Sequence, residues 1–245
     1  LYRFIDEGQI PAEKVRQAIA ERRAAIEHKT GNDSVFTLYL GTHLDPHYFA
    51  SQHSAHHFYT PSRLGQSQAG PLPLTAPRPA IESWLRQFFA LTTYEIAIPV
   101  LRDSTLAPPG KTGLIISVLF DYRLTRAVEE MGWYEAFKTL CEDAIIDTLE
   151  SAIYPGLRQA IHHRFSSTPL TMAKRTGNWQ GAITGWSFTN QPMPAESRLP
   201  KIMSAIRTPI PGVYQAGQWT YSPSGLPVSI LTGKIAADRV IKDLK

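Results

Sequence analysis

The sequence is most informative at first for what it lacks. Its 245 residues hold a single cysteine, Cys141. No disulfide framework and no cysteine-based zinc site can therefore form within one chain. A reducing compartment suits that usage, and a cytoplasmic protein is the expectation. Apolar runs are short: the longest, residues 94–101 and 113–120, fall far below the ~20 residues that a spanning helix requires. No signal peptide is visible at the start. Nor is there a block of one charge. The 25 Lys and Arg are mixed with 21 Asp and Glu, for a formal charge of +4. A nucleic-acid groove is not implied.

Three catalytic signatures are also missing. There is no GxSxG elbow, no His-Glu-x-x-His pair and no GxGxxG dinucleotide fingerprint. Gly110-Lys111-Thr112 looks like the end of a phosphate loop, but Thr105 stands where such a loop needs glycine. Pro109-Gly110 instead fits the centre of a type II turn. His43, His47, His53, His56 and His57 crowd one segment. Few carboxylates accompany them, so they read as loop histidines rather than metal ligands, with a zinc hydrolase as the remote alternative.

What is present is the composition of a folded domain, 43% hydrophobic with 19% charged. Residues 11–28 repeat apolar side chains at helical spacing, and 34–41 read as a strand. Residues 42–80 read as irregular chain with one short helix near 46–54, and a further helix is predicted at 80–91. Strands are predicted at 93–101 and 113–120, as an antiparallel pair. Helices follow at 124–131 and 133–153, the second with Phe137, Leu140, Ala144, Ile145, Leu149 and Ile153 as its stripe. Residues 157–165 suggest a strand, and 166–200 suggest loop. Within that loop Gly177, Gly181 and Gly185 alternate with Trp179 and Trp186. Such glycines mark either close approach of backbone to a flat ligand or another chain segment, or a plain connecting loop.

The last segment has a different grammar. A short strand at 213–216 leads to Gly217, a polar loop, Gly225 and a helix over 226–242. Gly217 would let backbone approach a ligand, and the helix start offers free N–H groups to an anion or an electron-rich ring.

These residues resemble the closing motif of the phytoene desaturase-like FAD-dependent oxidoreductases. That family includes carotenoid desaturases, carotenoid isomerases and retinol saturases, and it is related to the amine oxidases. Thr208 to Tyr214, Ala216-Gly217, Gly225-Leu226-Pro227 and Thr232-Gly233 carry the likeness. Upstream, Tyr94 to Pro99, Asp103, Ala107 to Gly110, Thr168 to Thr171 and the 177–186 segment are similar as well. The resemblance covers roughly residues 34–245.

It implies an α/β (α+β) fold, with a mixed, largely antiparallel sheet and helices on one side, plus the terminal strand, loop and helix of a Rossmann-like FAD domain. The implied division is an N-terminal helix and connector (1–33), a substrate-binding domain (34–204) and a C-terminal piece of the FAD domain (205–245). Carried over, Gly217, Gln218 and Trp219 would line FAD, and Gly225, Leu226, Pro227 and Val228 would sit near its ring. Trp179, Trp186 and Tyr221 are candidates for lining an apolar, polyene or isoprenoid-like substrate, with core packing as the alternative for each. No catalytic base is assigned, and no metal. NAD(P) as an electron partner and peripheral membrane contact are options that the resemblance leaves open.

Two departures matter. Gln218 stands where the family carries an acidic residue, and the dinucleotide fingerprint is absent. The chain opens Leu1-Tyr2-Arg3-Phe4 without methionine, and it is expected to be a fragment missing the N-terminal FAD-binding half. Alone, it should bind FAD weakly or not at all and be inactive. The alternative is a non-catalytic binding module that kept the fold and lost redox activity.

Overall fold

The computed structural model describes residues 5–245; the opening residues 1–4 that suggested a fragment lie outside them. By contacts the chain divides into two compact units, residues 34–181 and residues 1–33 with 182–245. The expected division at 204/205 is one of ligand role, and it does not coincide with this contact boundary.

The unit of residues 34–181 is built on a five-stranded sheet in the order β2-β3-β4-β1-β5, with every pair antiparallel. Its centre is β1 (Ser34–Thr42) against β4 (Thr112–Phe120), in register from Ser34 opposite Phe120 to Thr42 opposite Thr112. β1 also pairs with β5 (Ile161–Ser167), with a register shift at Gly41/Thr42. β2 (His56–Tyr59) and β3 (Tyr94–Ala97) complete the other edge. One sheet face carries Phe36, Leu38, Leu40, Leu114, Ile116 and Val118, all buried. These pack in one core with α3 (Arg78–Leu91) and α5 (Tyr134–Ala152). Burying so much contiguous apolar surface is the main force holding this unit together.

Local rules explain most element boundaries. Pro79 lies in the first turn of α3, where a missing N–H costs nothing. The Asp121 carboxylate accepts from the Arg123 and Leu124 N–H groups and caps α4 (Tyr122–Glu130). Lys111 N–H donates to Pro108 O across Pro109 and Gly110, whose φ is +71°. That is the turn the dipeptide predicted.

Several expectations need correction. The strand predicted at 93–101 stops at Ala97; Ile98 N–H donates to Ala55 O, and 99–101 turn into a 3-10 helix. Pro99 has no N–H for a ladder. β2 lies inside the stretch read as irregular. Four residues are too few to show alternation. The strand predicted at 157–165 is a turn of helix, α6 (Leu157–Ala160), and then β5. The loop reading of 166–200 misses α7 (Pro169–Thr176), which has Thr168 and Thr171 as a reciprocal capping box and left-handed Gly177 at its end. The short α2 (Pro46–Ala50) is present where expected. On α5, Cys141 and Ile146 join Phe137, Ile145 and Leu149 in the core, whereas Leu140, Ala144 and Ile153 are only partly buried.

The second unit holds α1 (Glu13–Glu27), with Ile19 buried, a short helix α8 (Ile202–Ala205) and the long α9 (Leu226–Asp243). Residues 30–33 zip against 183–190: Asn32 N–H donates to Gly185 O at 2.9 Å, Ser187 N–H to Thr30 O at 3.0 Å, and Ile183 N–H to Asp33 O at 3.1 Å. The predicted strand at 213–216 is reduced to one bridge, Tyr214 with Arg207. An extended segment becomes a strand only beside a partner, and the described residues of this unit offer it no ladder.

Candidate functional site

The residues that the resemblance assigned to flavin come together as one structure in the second unit, the loop 217–225 and the first turn of α9. Gly217 has φ +94°, so it adopts a conformation that a side chain would strain. Its N–H donates to Thr232 Oγ1 at 3.1 Å, and Thr232 is fully buried on α9. Thr220 N–H closes back on Gly217 O at 3.1 Å. Gly225 forms the helix cap with extended φ of 172° and no side-chain cap. The first N–H groups of α9 therefore lack the usual capping oxygen, and the positive end of the helix faces outward uncompensated. Leu226 is 75% exposed beside them.

Three buried polar atoms of this loop have no hydrogen-bond partner: Gln218 Nε2, Ser222 Oγ and Ser224 Oγ. Buried polar groups are nearly always paired, so three orphans in one loop call for an explanation. An amide donor, two hydroxyls and an uncapped helix start together suit a polar, acceptor-rich group. They would be costly beside hydrocarbon. The donor set thus fits the carbonyl, hydroxyl or phosphate oxygens of a dinucleotide.

The loop is braced from behind by the glycine–tryptophan segment. A Cβ on Gly185 would lie 1.9 Å from Gln218 O, so only glycine lets the two backbones approach this closely. Trp186 Nε1 donates to Trp219 O at 2.9 Å, and the two indoles meet edge to face with centroids 4.9 Å apart. Of the glycine triplet, Gly177 ends α7, Gly181 packs against Pro169 O and Ser34 Oγ, and Gly185 supports the loop. The close approach is thus to other chain segments.

The substrate-lining candidates belong to different units. Trp186 and Tyr221 belong to the second unit and Trp179 to the first. Tyr221 is buried, with its hydroxyl donating to Ser197 O at 3.0 Å. Trp179 is 39% exposed.

Sequence reasoning passed over another surface. The face of the five-stranded sheet opposite the core carries Val35, Tyr39, Ile115 and Ser117, all partly exposed, and Leu119 and Phe165, each about half exposed. Tyr39 and Phe165 stack at 4.6 Å. The signal was the almost wholly apolar run of β4, broken only by Ser117 after Gly113, which therefore serves two largely apolar faces.

Of the histidines, His43 and His47 are exposed, and His56 and His57 lie on β2 rather than in a loop. His53 stacks on His57 at 4.5 Å, and His57 Nδ1 lies 3.0 Å from Ser54 O and its Nε2 3.1 Å from the Tyr154 hydroxyl. Burial chiefly lowers the His57 pKa, helped by neighbouring His53 and His56 and opposed by the Ser54 carbonyl. Burial also raises the Tyr154 pKa and that of the Cys141 thiol. Among the described residues no three His, Cys, Asp or Glu side chains converge as a metal set, and no helix is long and apolar enough to cross a membrane.

The comparison with known proteins finds the chain similar to isomerases and oxidoreductases. Prolycopene isomerase of Daucus carota is 30% identical over 152 residues, which are 61% of this chain and 23% of that protein. Phytoene desaturase of Fusarium fujikuroi is 24% identical over 173 residues, 62% of this chain and 28% of that protein. Pyridine nucleotide-disulfide oxidoreductase domain-containing protein 2 of Mus musculus is 29% identical over 157 residues, 62% of this chain and 25% of that protein. The chain spans about a quarter of the length of these relatives. No protein-family model matches it.

Proposed function

We propose that the chain is part of an FAD-dependent oxidoreductase that acts on an apolar, polyene or isoprenoid-like substrate. The observation that carries this reading is the 217–225 loop, with three orphaned polar atoms beside an uncapped helix start. When bound, FAD supplies hydride exchange with a carbon–carbon bond of the substrate. Gly217 gives a ligand access to the backbone, and Gln218, Ser222 and Ser224 hydrogen-bond its polar edge. The N–H groups of Leu226 and Val228 favour negative charge near them. In this reading residues 205–245 serve the flavin and 34–204 the substrate, which lies on apolar side chains such as those of the open sheet face. Trp179, Trp186 and Tyr221 stay candidates for that lining.

The dinucleotide fingerprint would come from a further, N-terminal FAD-binding half. The apolar stripe of α9 supports such a partner: Leu226, Ile230, Ile241 and Leu244 follow helical spacing and are all exposed, from 55% to 82%. NAD(P) as electron partner and a peripheral membrane contact are part of the same proposal.

Expression of the full-length protein tests the reading. The expected result is a yellow protein that releases FAD on denaturation, with flavin lost in Gly217→Val and reduced in Ser222→Ala. A full-length protein that stays colourless with added FAD overturns it. The alternative, a binding module without redox activity, is favoured by Gln218, which adds no charge where the family has an acid. That alternative predicts the colourless result together with retained binding of an apolar ligand.

A further inference from the structure

A second polar feature of the same unit has no part in the flavin reading. Four separated chain segments, α1, 193–198, 204–209 and 215–220, line an open cleft of about 620 Å³. That volume is in the range of small-molecule sites. Three guanidinium groups line it, those of Arg22, Arg198 and Arg207, against one carboxylate, Glu196.

The carboxylate is already spent. Glu196 Oε1 accepts from Arg198 Nε at 2.9 Å and from the backbone N–H groups of Ser197 and Arg198 at 3.1 and 3.0 Å, and Oε2 accepts from Arg198 Nη2 at 3.1 Å. Glu196 and Arg198 thus neutralise each other as a closed fork. Two positive charges are left over. Arg22 is half-buried and held in place, since its Nη1 donates to Pro194 O, and its other N–H groups remain free to point elsewhere. Arg207 is exposed and donates its backbone N–H to Ser204 O at 3.1 Å, while its guanidinium makes no hydrogen bond or ion pair among the described residues. Thr220, 2% exposed, also lines the cavity, and its hydroxyl has no partner among the described residues.

Two uncompensated guanidinium groups around one concave space, with hydroxyls from Thr220 and Ser197 beside them, make a lining in which charged donors outnumber charged acceptors. A tetrahedral oxyanion satisfies such a set better than a neutral ligand, because each guanidinium presents paired donors to its oxygens. We propose that this cavity binds a phosphate group carried by a small ligand, with Arg22 and Arg207 as its charged contacts.

Calorimetric titration of the protein with inorganic pyrophosphate at low salt tests this. The expected result is saturable binding that weakens at least about tenfold in Arg207→Gln and in Arg22→Gln, and weakens less in Arg207→Lys. Arg126→Gln, in the other unit, should leave it unchanged. Arg22 also holds Pro194, so its loss could loosen the fold. Arg207 has no such partner, and its variant keeps the test decisive. Competition with FAD then separates the sources of the phosphate: displacement assigns it to the dinucleotide, and coexistence assigns it to a second ligand. Absence of saturable binding, or binding untouched by both arginine substitutions, overturns the proposal. A colourless full-length protein would refute the flavin reading and leave this titration readable.

Discussion

The two units of the chain bury their apolar residues very differently. In residues 34–181, the inner sheet face, α3 and α5 close one core in which Phe36, Phe89, Phe120 and Phe137 meet ring against ring, with centroids 5.8 to 6.4 Å apart. In the other unit α9 buries Thr232 and Ile235 but exposes a stripe of leucine and isoleucine along its opposite side. The sheet unit seals one face of its sheet and leaves the other partly open, with Leu119 and Phe165 about half exposed. In the proposed reading, the α9 stripe is the surface that a further domain would cover.

The largest effect should come from breaking the sealed core. Phe89→Ala should cost about 3–5 kcal/mol, read as a shift in the denaturant midpoint of the sheet unit. A smaller change in that unit should come from Gly181→Ala. At φ +67° its new Cβ would sit 2.5 Å from Pro169 O, and a left-handed alanine alone costs about 1–2 kcal/mol. Gly185→Ala sharpens the contrast, since its Cβ would collide with Gln218 O. It should disorder the 217–225 loop, and with it the flavin binding proposed above, while the sheet unit melts almost as before.

Titration separates the units further. His57 lies in the sheet unit with its pKa lowered by burial. The unfolded chain therefore binds this proton more readily than the folded one, and stability falls as pH drops below the ordinary histidine value near 6.5. Thermal unfolding between pH 7 and 5 should show that loss, and His57→Gln should flatten it. In the other unit the fork of Arg198 and two backbone N–H groups holds the Glu196 carboxyl down to about 2. The turn that it clamps should keep its geometry until the pH falls well below 4, as a carboxyl carbon shift in NMR would record. The smallest effect should be Ile230→Gln. On an exposed site it should alter the stability of this chain by no more than about 0.5 kcal/mol. In the proposed reading, where α9 packs against an N-terminal half, it should nevertheless weaken flavin retention.

Much of the fold was legible. The i, i+4, i+7 spacing of Ile81, Leu85 and Phe88 specifies α3, and the apolar run 113–120 specifies β4. Thr168-Pro169 even contained the start of α7, although eight residues are too short for periodicity to reveal it. The strand predicted at 213–216 was not legible, because a strand is a relation between two segments and the sequence shows only one. The candidate site was legible as a string, Gly217 to Val228, but its bracing was not. Nothing in the spacing of Gly185 and Gln218 indicates that their backbones touch.

The sequence by itself determined the helices, the central strands, the turn at Pro109-Gly110 and the glycine-marked loop, because those follow from local sterics and periodicity. Tertiary structure alone decided that β1 is central, that the sheet keeps one apolar face open, and that the side-chain atoms Gln218 Nε2, Ser222 Oγ and Ser224 Oγ are buried without partners. It also decided that Glu196 is taken by Arg198, so that Arg22 and Arg207 face a cavity unbalanced. Each of these is a matter of which groups meet, and the free energy of a polar group depends on its neighbours rather than on its place in the chain.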